Sequence, residues 1–282
     1  MEVRQMIKRI LVGLGGTPYT PVAIQRAVGL AKRFKAEITG VTVVDLKHLS
    51  KVGPVPVGGE QAADKLRRHR IAVTKERIEE AISKFESACA EAGIKYQVKR
   101  EERENPFDLM ISLARYHDLM IFGLRSLFEY GISVEEPKDT LVRLVSAGVR
   151  PIIAVSDEFR PIQKALIAYS GSMESAKTMK RFIQLSPWPD VKLKIVNFQR
   201  SEDKARQFLY DASEYCRTHG FVVETESNPG SPKDFLLPMA TLWQADLIVM
   251  GNSARNLMLR RLIGETALHI IRNADRSLFL CQ

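Results

Sequence analysis

The chain contains an internal repeat, and this repeat constrains its fold more than any other feature of the sequence. Residues 9–17 (RILVGLGGT) align with residues 164–172 (KALIAYSGS), and residues 118–123 (DLMIFG) align with residues 246–251 (DLIVMG). Each aligned segment is a short apolar run that ends in small residues, which is typical of a buried strand leading into a tight loop. The sequence therefore predicts two halves that share one fold.

Between the apolar runs the hydrophobic period becomes helical. The predicted helices are 21–35, a long amphipathic helix through Ile71 and Cys89, 174–185, 202–219 and 264–273. The strands are continuous Val/Ile/Leu runs, as expected when helices cover both faces of a parallel sheet. We therefore predict an α/β protein with two doubly wound, five-stranded parallel-sheet domains, at 1–157 and 162–282.

Composition excludes several classes of protein. No apolar run approaches the roughly 20 residues that cross a bilayer, and the first apolar run is too short for a signal peptide, so we expect a cytoplasmic protein. Cys89 and Cys216 each stand four residues before a glycine, Gly93 or Gly220, which favours repeat-related packing positions over redox chemistry. The net charge of +9 raises nucleic-acid binding as a hypothesis, but basic residues are interleaved with acidic ones, as in 75–80 (KERIEE).

No catalytic constellation is evident. In an open α/β sheet, ligands bind beyond the carboxyl ends of the strands, here the loops 13–17, 123–131, 170–172 and 251–264. These loops lack a dinucleotide fingerprint, a phosphate loop and a nucleophile elbow, and the five histidines have no metal-binding spacing. The sequence therefore favours a protein that is not an enzyme. Weak ATP hydrolysis is the only catalytic activity that it suggests.

One loop has the character of an anion site. Residues 251–266 (GNSARNLMLRRLIGET) leave a predicted strand and enter a helix at Gly264. Backbone N–H groups at a helix N-terminus attract anions, and Arg255, Arg260 and Arg261 add positive charge nearby. The alternative is a solvated loop before a helix that glycine happens to begin, and the spacing alone leaves both open.

These motifs and the duplication resemble a tandem universal stress protein. The family's nucleotide-binding version carries G-x-x-G-x9-G-[ST] after the fourth strand, and Gly251, Ala254, Gly264 and Glu265 occupy these places with the spacing preserved. The resemblance implies an adenine-nucleotide alpha-hydrolase-like fold, with the domains paired as an intramolecular pseudo-dimer through their last strands, 152–155 and 278–281. It also implies that the cofactor is ATP or AMP with Mg²⁺, or that there is none.

The second half departs from the family pattern at several places. Ala254 replaces a glycine, Glu265 replaces the Ser/Thr, with Thr266 next to it, and Ser170 replaces the adenine-side Asp. Phe198 stands where the family has a small residue near adenine. The candidate nucleotide residues are Ser170, Gly171, Ser172, Phe198, Gly251, Ala254, Arg255, Gly264, Glu265 and Thr266.

The first half departs further. Gly15 replaces the adenine-side Asp, although Val43 and Thr17 keep their places. The later loop has Ser126, Glu136 and Pro137 at the motif positions, with Glu129 and Glu135 adding negative charge. We therefore expect the first domain not to bind ATP.

Two functions follow from this pattern. The leading hypothesis is a regulatory stress protein that acts as an interaction platform, with a degraded nucleotide site in the second domain and an unknown protein partner at loops such as 47–59 and 123–137. The alternative is an ATP- or AMP-binding switch with weak hydrolysis. A homodimer is compatible with either, whereas membrane association and nucleic-acid binding are disfavoured.

Overall fold

The computed structural model describes residues 7–45, 58–103, 106–124, 141, 144–145, 149, 151–251 and 264–281. The chain divides into two compact units, Ile7–Leu144 and the residues from Val145 onward. Among the described ranges, none of the helices combines the length and the apolar character needed to cross a bilayer.

The first unit contains four parallel strands in the order β3-β2-β1-β4. Helices accompany them along the chain, and Pro21 and Pro106 each lie in the first turn of a helix, where the missing N–H has no intrahelical partner to lose. The bounds are β1 Arg9–Gly13, α1 Thr20–Phe34, β2 Glu37–Asp45, α2 Glu60–Glu91, β3 Tyr96–Arg103, α3 Pro106–Ala114 and β4 Leu119–Gly123.

The described part of the second unit contains six strands in the order β5-β10-β9-β6-β7-β8. All its pairs are parallel except β5 with β10, which is antiparallel with Ile153 opposite Phe279. The bounds are β5 Ile152–Val155, β6 Lys164–Ala168, α4 Met173–Leu185, β7 Lys192–Asn197, α5 Glu202–Thr218, β8 Val223–Ser227, α6 Pro232–Leu242, β9 Leu247–Gly251, α7 Glu265–Asn273 and β10 Ser277–Cys281.

These elements confirm the predicted fold class, an α/β protein with mostly parallel sheets and two similar halves. Each half of the sequence contributes five strands, β1–β5 and β6–β10, among the described residues. Because β5 pairs with β10, the boundary between the two compact units falls between residues 144 and 145 of the chain rather than near residue 160. The domain boundaries 1–157 and 162–282 stay predictions.

A repeated aspartate fastens the sheet at the amino ends of the strands. In the first unit, Asp118 Oδ2 accepts hydrogen bonds from the backbone N–H groups of Lys8 and Arg9, at 2.8 and 3.0 Å. In the second unit, Asp246 Oδ2 accepts from those of Gln163 and Lys164, both at 2.9 Å. The first residue of each repeated DLxxxG segment therefore joins two neighbouring strands.

The repeat-related cysteines are packing residues, as predicted. Cys89 and Cys216 are fully buried near the C-terminal ends of α2 and α5. Burial raises the pKa of the Cys89 thiol to about 11 and that of Cys216 to about 12. Both thiols therefore stay protonated near neutral pH, which removes the thiolate on which redox reactivity depends.

Candidate functional site

The candidate site lies where the strand order of the second unit reverses. From β6 the chain moves to β7 and β8 on one side, and then crosses to β9 and β10 on the other. Ala168 at the end of β6 is in register with Val196 of β7 and with Met250 of β9. The loop after β6, Phe198 and Gly251 consequently share one edge of the sheet, at the crevice where open α/β sheets bind ligands.

The serines of the loop after β6 are hydrogen-bonded to one another. Ser172 is the N-cap of α4, and its Oγ accepts the backbone N–H of Ser175 at 3.2 Å. Ser170 Oγ donates to Ser175 Oγ at 3.2 Å and accepts the backbone N–H of Ser172 at 3.3 Å. This loop therefore satisfies its own polar groups, and it holds no carboxylate at the place of the family's adenine-side Asp.

An aromatic ring closes over the same loop. Gly171 has a φ of +80°, and a Cβ added there would lie 2.5 Å from the Phe208 ring of α5. In the first unit Gly16 has a φ of +68°, and an added Cβ would lie 2.9 Å from Arg77 Cβ of α2. The second helix of each half thus packs directly on this loop, and both glycines are required by conformation and by space. No local pattern in the sequence points to Phe208.

Asn197 forms hydrogen bonds with the loops that follow the three strands β6, β7 and β8. Its side chain is fully buried, its Nδ2 donates to the Tyr169 carbonyl at 2.8 Å, and its Oδ1 accepts the Gln199 N–H at 2.9 Å. Its own carbonyl accepts the Asn228 N–H at 2.9 Å. Phe198, half-buried, is therefore held between two fixed neighbours at the edge of the crevice. Sequence reasoning missed Asn197 too, although a polar residue ending a buried strand was a usable signal.

Gly251 allows the end of β9 to approach α4 closely. An added Cβ would lie 3.0 Å from Thr178 Oγ1 and 3.1 Å from the Glu174 carbonyl oxygen. Thr178 Oγ1 also lies 2.8 Å from the Cys281 carbonyl of β10, so this contact fastens the helix to two strands. Packing alone is thus a sufficient reason for glycine at this position.

The start of α7 combines an anion-attracting end with an acidic side chain. Gly264 is the N-cap, with φ −62° and ψ 147°, a conformation open to most residues. Glu265 is exposed in the first turn, and Thr266 is half-buried. A carboxylate there interacts favourably with the partial positive charge of the helix N-terminus, the same charge that would attract a phosphate. Ala254, Arg255, Arg260 and Arg261 lie outside the described residues.

The corresponding loop of the first unit is also closed on itself. Gly15 and Thr17 are buried, and the Thr17 N–H donates to Thr20 Oγ1 at 3.0 Å. Val43 pairs with Glu101 through the backbone. The other predicted positions, Ser126, Glu129, Glu135, Glu136 and Pro137, lie outside the described residues. The expectation that this half does not bind ATP stays a prediction.

The described residues of the crevice bring together hydroxyl groups and backbone N–H groups. Such groups can bind and orient a ligand that displaces the hydrogen bonds they make within the loop. No cluster of metal-binding side chains occurs among the residues that the structure describes.

Comparison with known proteins shows the family. The model of the universal stress protein family matches residues 6–123 and 161–282, and the chain therefore belongs to this family. Its fold resembles that of a universal stress protein from Archaeoglobus fulgidus, with 18% identity, a TM-score of 0.63, and coverage of 99% of this chain and 97% of that one. It also resembles a protein of unknown function from Pseudomonas aeruginosa, with 17% identity, a TM-score of 0.57, and coverage of 98% and 93%.

Shorter structures match one half at a time. A universal stress protein in complex with cAMP covers 44% of this chain, with 22% identity, a TM-score of 0.39 and 98% of its own length covered. No curated protein gives a significant match.

Proposed function

We propose that the chain is a universal stress response protein that acts through contacts with a protein partner, and that the adenine-nucleotide site of its second half is degraded. The observation that carries this proposal is the closed loop after β6. Its serine hydroxyls are hydrogen-bonded within the loop and to the N-terminus of α4, and Phe208 packs on Gly171. A nucleotide would have to displace these contacts to use the same groups.

The charge at α7 adds to this argument. Glu265 is exposed and places a negative charge at the N-terminus of the helix that a phosphate would approach. Two like charges about 4 Å apart repel by roughly 1 kcal/mol in water and about 4 kcal/mol near a protein surface. The carboxylate therefore weakens any triphosphate at this end of the crevice.

The alternative function is an ATP- or AMP-binding switch with weak hydrolysis, assisted by Mg²⁺. It is supported by the position of Gly251 at the carboxyl end of β9, beside the point where strand order reverses. It is also supported by Gly264 at a helix N-terminus with the family spacing. Both features belong to the same crevice, so one experiment separates the two functions.

The experiment is thermal unfolding of the full chain with and without millimolar ATP or AMP and Mg²⁺. Ligand at a hundred times its Kd stabilises by about 2.7 kcal/mol. We expect little or no shift for the wild type, and a nucleotide-dependent shift for the variant Ala254→Gly/Glu265→Ser, which restores the family's G-x-x-G-x9-G-[ST] motif. Glu202→Ser is the matched control, because Glu202 is an exposed acidic residue in the first turn of α5.

A clear shift of the wild type that disappears in Gly264→Phe contradicts the platform proposal and establishes the switch. If no variant shifts with any nucleotide, the crevice is not a nucleotide site, and partner capture becomes the remaining test of the platform.

The proposal extends to location and assembly. We place the protein in the cytoplasm, with its two domains paired through their last strands, and with loops 47–59 and 123–137 as the contact surface for the partner. The antiparallel pairing of β5 with β10 supports the use of these strands. Light scattering of the purified chain distinguishes a monomer, in which the pairing is intramolecular, from a homodimer.

A further inference from the structure

A second pocket lies in the first unit, at the amino ends of its strands and therefore opposite the carboxyl edge. It has a volume of about 530 Å³, within the range of small-molecule sites. Small and apolar residues, including Ala31, Ala36 and Ile94, form part of its lining. The charged side chains that line it are Lys8, Arg9, Lys32, Lys35, Glu37 and Lys95.

The pocket carries a strong excess of positive charge. Five of its charged residues are cationic, and Glu37 is the one carboxylate among the lining residues. Glu37 Oε1 lies 2.8 Å from Arg9 Nε, and its Oε2 lies 2.9 Å from Lys95 Nζ. Lys95, and with it Arg9, lowers the pKa of this carboxyl, so it is ionised near neutral pH and offsets one of the five charges.

Helix ends offset only part of the remaining charge. The C-termini of α1 and α2 both reach this pocket, and each carries roughly half a negative charge. Several of the last carbonyls are already occupied: that of Ala31 accepts the N–H groups of Lys35 and Ala36, and that of Cys89 accepts the Ile94 N–H. The helix ends, together with the Asp118 carboxylate that accepts the backbone N–H groups of Lys8 and Arg9, leave a net positive charge of about two.

The internal repeat shows that the fold does not demand these cations. Gln163 and Lys164 stand at the start of β6 where Lys8 and Arg9 stand at the start of β1. Ser186 is the left-handed C-cap of α4, as Lys35 is of α1. Val222, directly before β8, takes the place of Lys95, directly before β3. Lys35 also holds a left-handed conformation with φ 51°, where glycine would cost about 1 kcal/mol less. The excess of positive charge at this pocket is thus a property of the first half alone.

We propose that this pocket at the amino ends of the strands binds a small anion with several clustered phosphate groups. Ammonium groups are compact charges that suit phosphate, and here they line one pocket from the residue before β1, from the end of α1 and from the residue before β3. The pocket is concave and its size suits a small molecule, which favours this ligand over an extended nucleic acid strand. The site is separate from the crevice of the second unit and extends beyond the function proposed above.

The test is calorimetric titration of the full chain with inorganic tripolyphosphate at 50 and 200 mM salt, with inositol hexakisphosphate as a second arm. We expect one saturable site that weakens with salt. Lys32→Gln/Lys35→Gln is expected to weaken binding at least tenfold. The control Lys192→Gln/Lys233→Gln removes the same charge from exposed positions of the other unit, and should change binding less than twofold.

Two results would overturn the proposal directly: no binding of either phosphate compound, whether or not a single-stranded RNA binds, and equal weakening by the two lysine pairs. Loss of binding in Gly264→Phe would show that the ligand binds in the crevice of the second unit, and this result would also overturn the proposal. The stronger of the two compounds shows whether an inorganic chain or a phosphate ester is the better ligand, and saturable binding of either supports the pocket.

Discussion

Glycine occupies two contrasting positions in this chain, one inside α1 and one in the loop after β6. Gly29 is exposed, and an added Cβ would meet open space, so Gly29→Ala should stabilise by about 0.5–1 kcal/mol through the lower entropy of the unfolded chain. Gly171 has positive φ and faces the Phe208 ring, so Gly171→Ala should destabilise by about 2–3 kcal/mol. Urea unfolding measures both, and equal effects would contradict this account of the loop.

His117 makes the stability of the first unit depend on pH. It is buried, with Nδ1 2.7 Å from the Leu113 carbonyl and Nε2 3.0 Å from Thr39 Oγ1. The ring therefore links the end of α3 to β2.

Burial is the main cause that lowers the pKa of His117, against smaller opposing effects. The unfolded histidine has a pKa of about 6.5, so the unfolded chain takes up the proton first. The contribution of His117 to stability is therefore complete above pH 6.5 and is lost as pH falls towards the lower, folded pKa.

Between pH 7 and 5.5 we expect wild type to lose more unfolding free energy than His117→Gln, by up to about 1.4 kcal/mol per pH unit. Urea unfolding at several pH values checks this. His219→Gln, at an exposed helix end, is the control and should keep the wild-type dependence. An identical pH dependence in His117→Gln would exclude His117 as the cause.

Among the helices, α6 depends on a side chain from another element. Arg276 is 4% exposed, and its Nη1 donates to the carbonyls of Ala240 and Ala245 at 2.9 and 3.0 Å, while Nη2 donates to Thr241 Oγ1 at 2.9 Å. Carbonyls at the end of a helix lack intrahelical donors, so one guanidinium fastens this end next to β10.

A single ammonium cannot reproduce this fork. Arg276→Lys should therefore cost about 2–4 kcal/mol of unfolding free energy, because the carbonyls of Ala240 and Ala245 and the Thr241 hydroxyl lose the hydrogen bonds of a buried guanidinium. Arg217→Lys, at a partly exposed ion pair with Glu214, should cost less than about 1 kcal/mol. Denaturant unfolding of the two variants is the measurement, and a similar small loss in both would show that the Arg276 contacts contribute little.

The sequence predicted elements well where their period was strong. The helices at 174–185, 202–219 and 264–273 match α4, α5 and α7 to within one residue at each end. The long helix was recognised only from Ile71, whereas α2 begins at Glu60, because the added turns are mostly exposed and carry no apolar stripe. Hydrophobic periodicity arises from burial of one helix face, so a helical extension that is exposed to solvent shows no such periodicity in the sequence.

The candidate site was predictable in place but not in detail. Strand ends and the repeat locate the loop after β6 and the start of α7, because the order of elements fixes which edge they share. The packing of Phe208 on Gly171 and the hydrogen bond from Asn197 to Tyr169 join residues 28 or more positions apart. Such contacts depend on how helices and loops pack, and no local pattern records them.

At the scale of the whole molecule, β5 decides where the chain can be divided. Its four residues are fully buried, and they pair antiparallel with β10 although the family match of the second half begins only at residue 161. A fragment starting at residue 162 would leave the apolar edge of β10 without its partner. Uncovered strand edges recruit other chains.

We therefore expect fragment 145–282 to be more stable than fragment 162–282 by roughly 3 kcal/mol or more, since burying one large aliphatic side chain contributes about 1.5–3 kcal/mol. The shorter fragment should associate through β10, and light scattering with urea unfolding at several protein concentrations would detect it. Ile153→Lys in the longer fragment places a charge opposite Phe279 and should reproduce the association. Two fragments with equal stability and equal mass would show that β5 is dispensable, and would place the functional boundary of the second domain near residue 162.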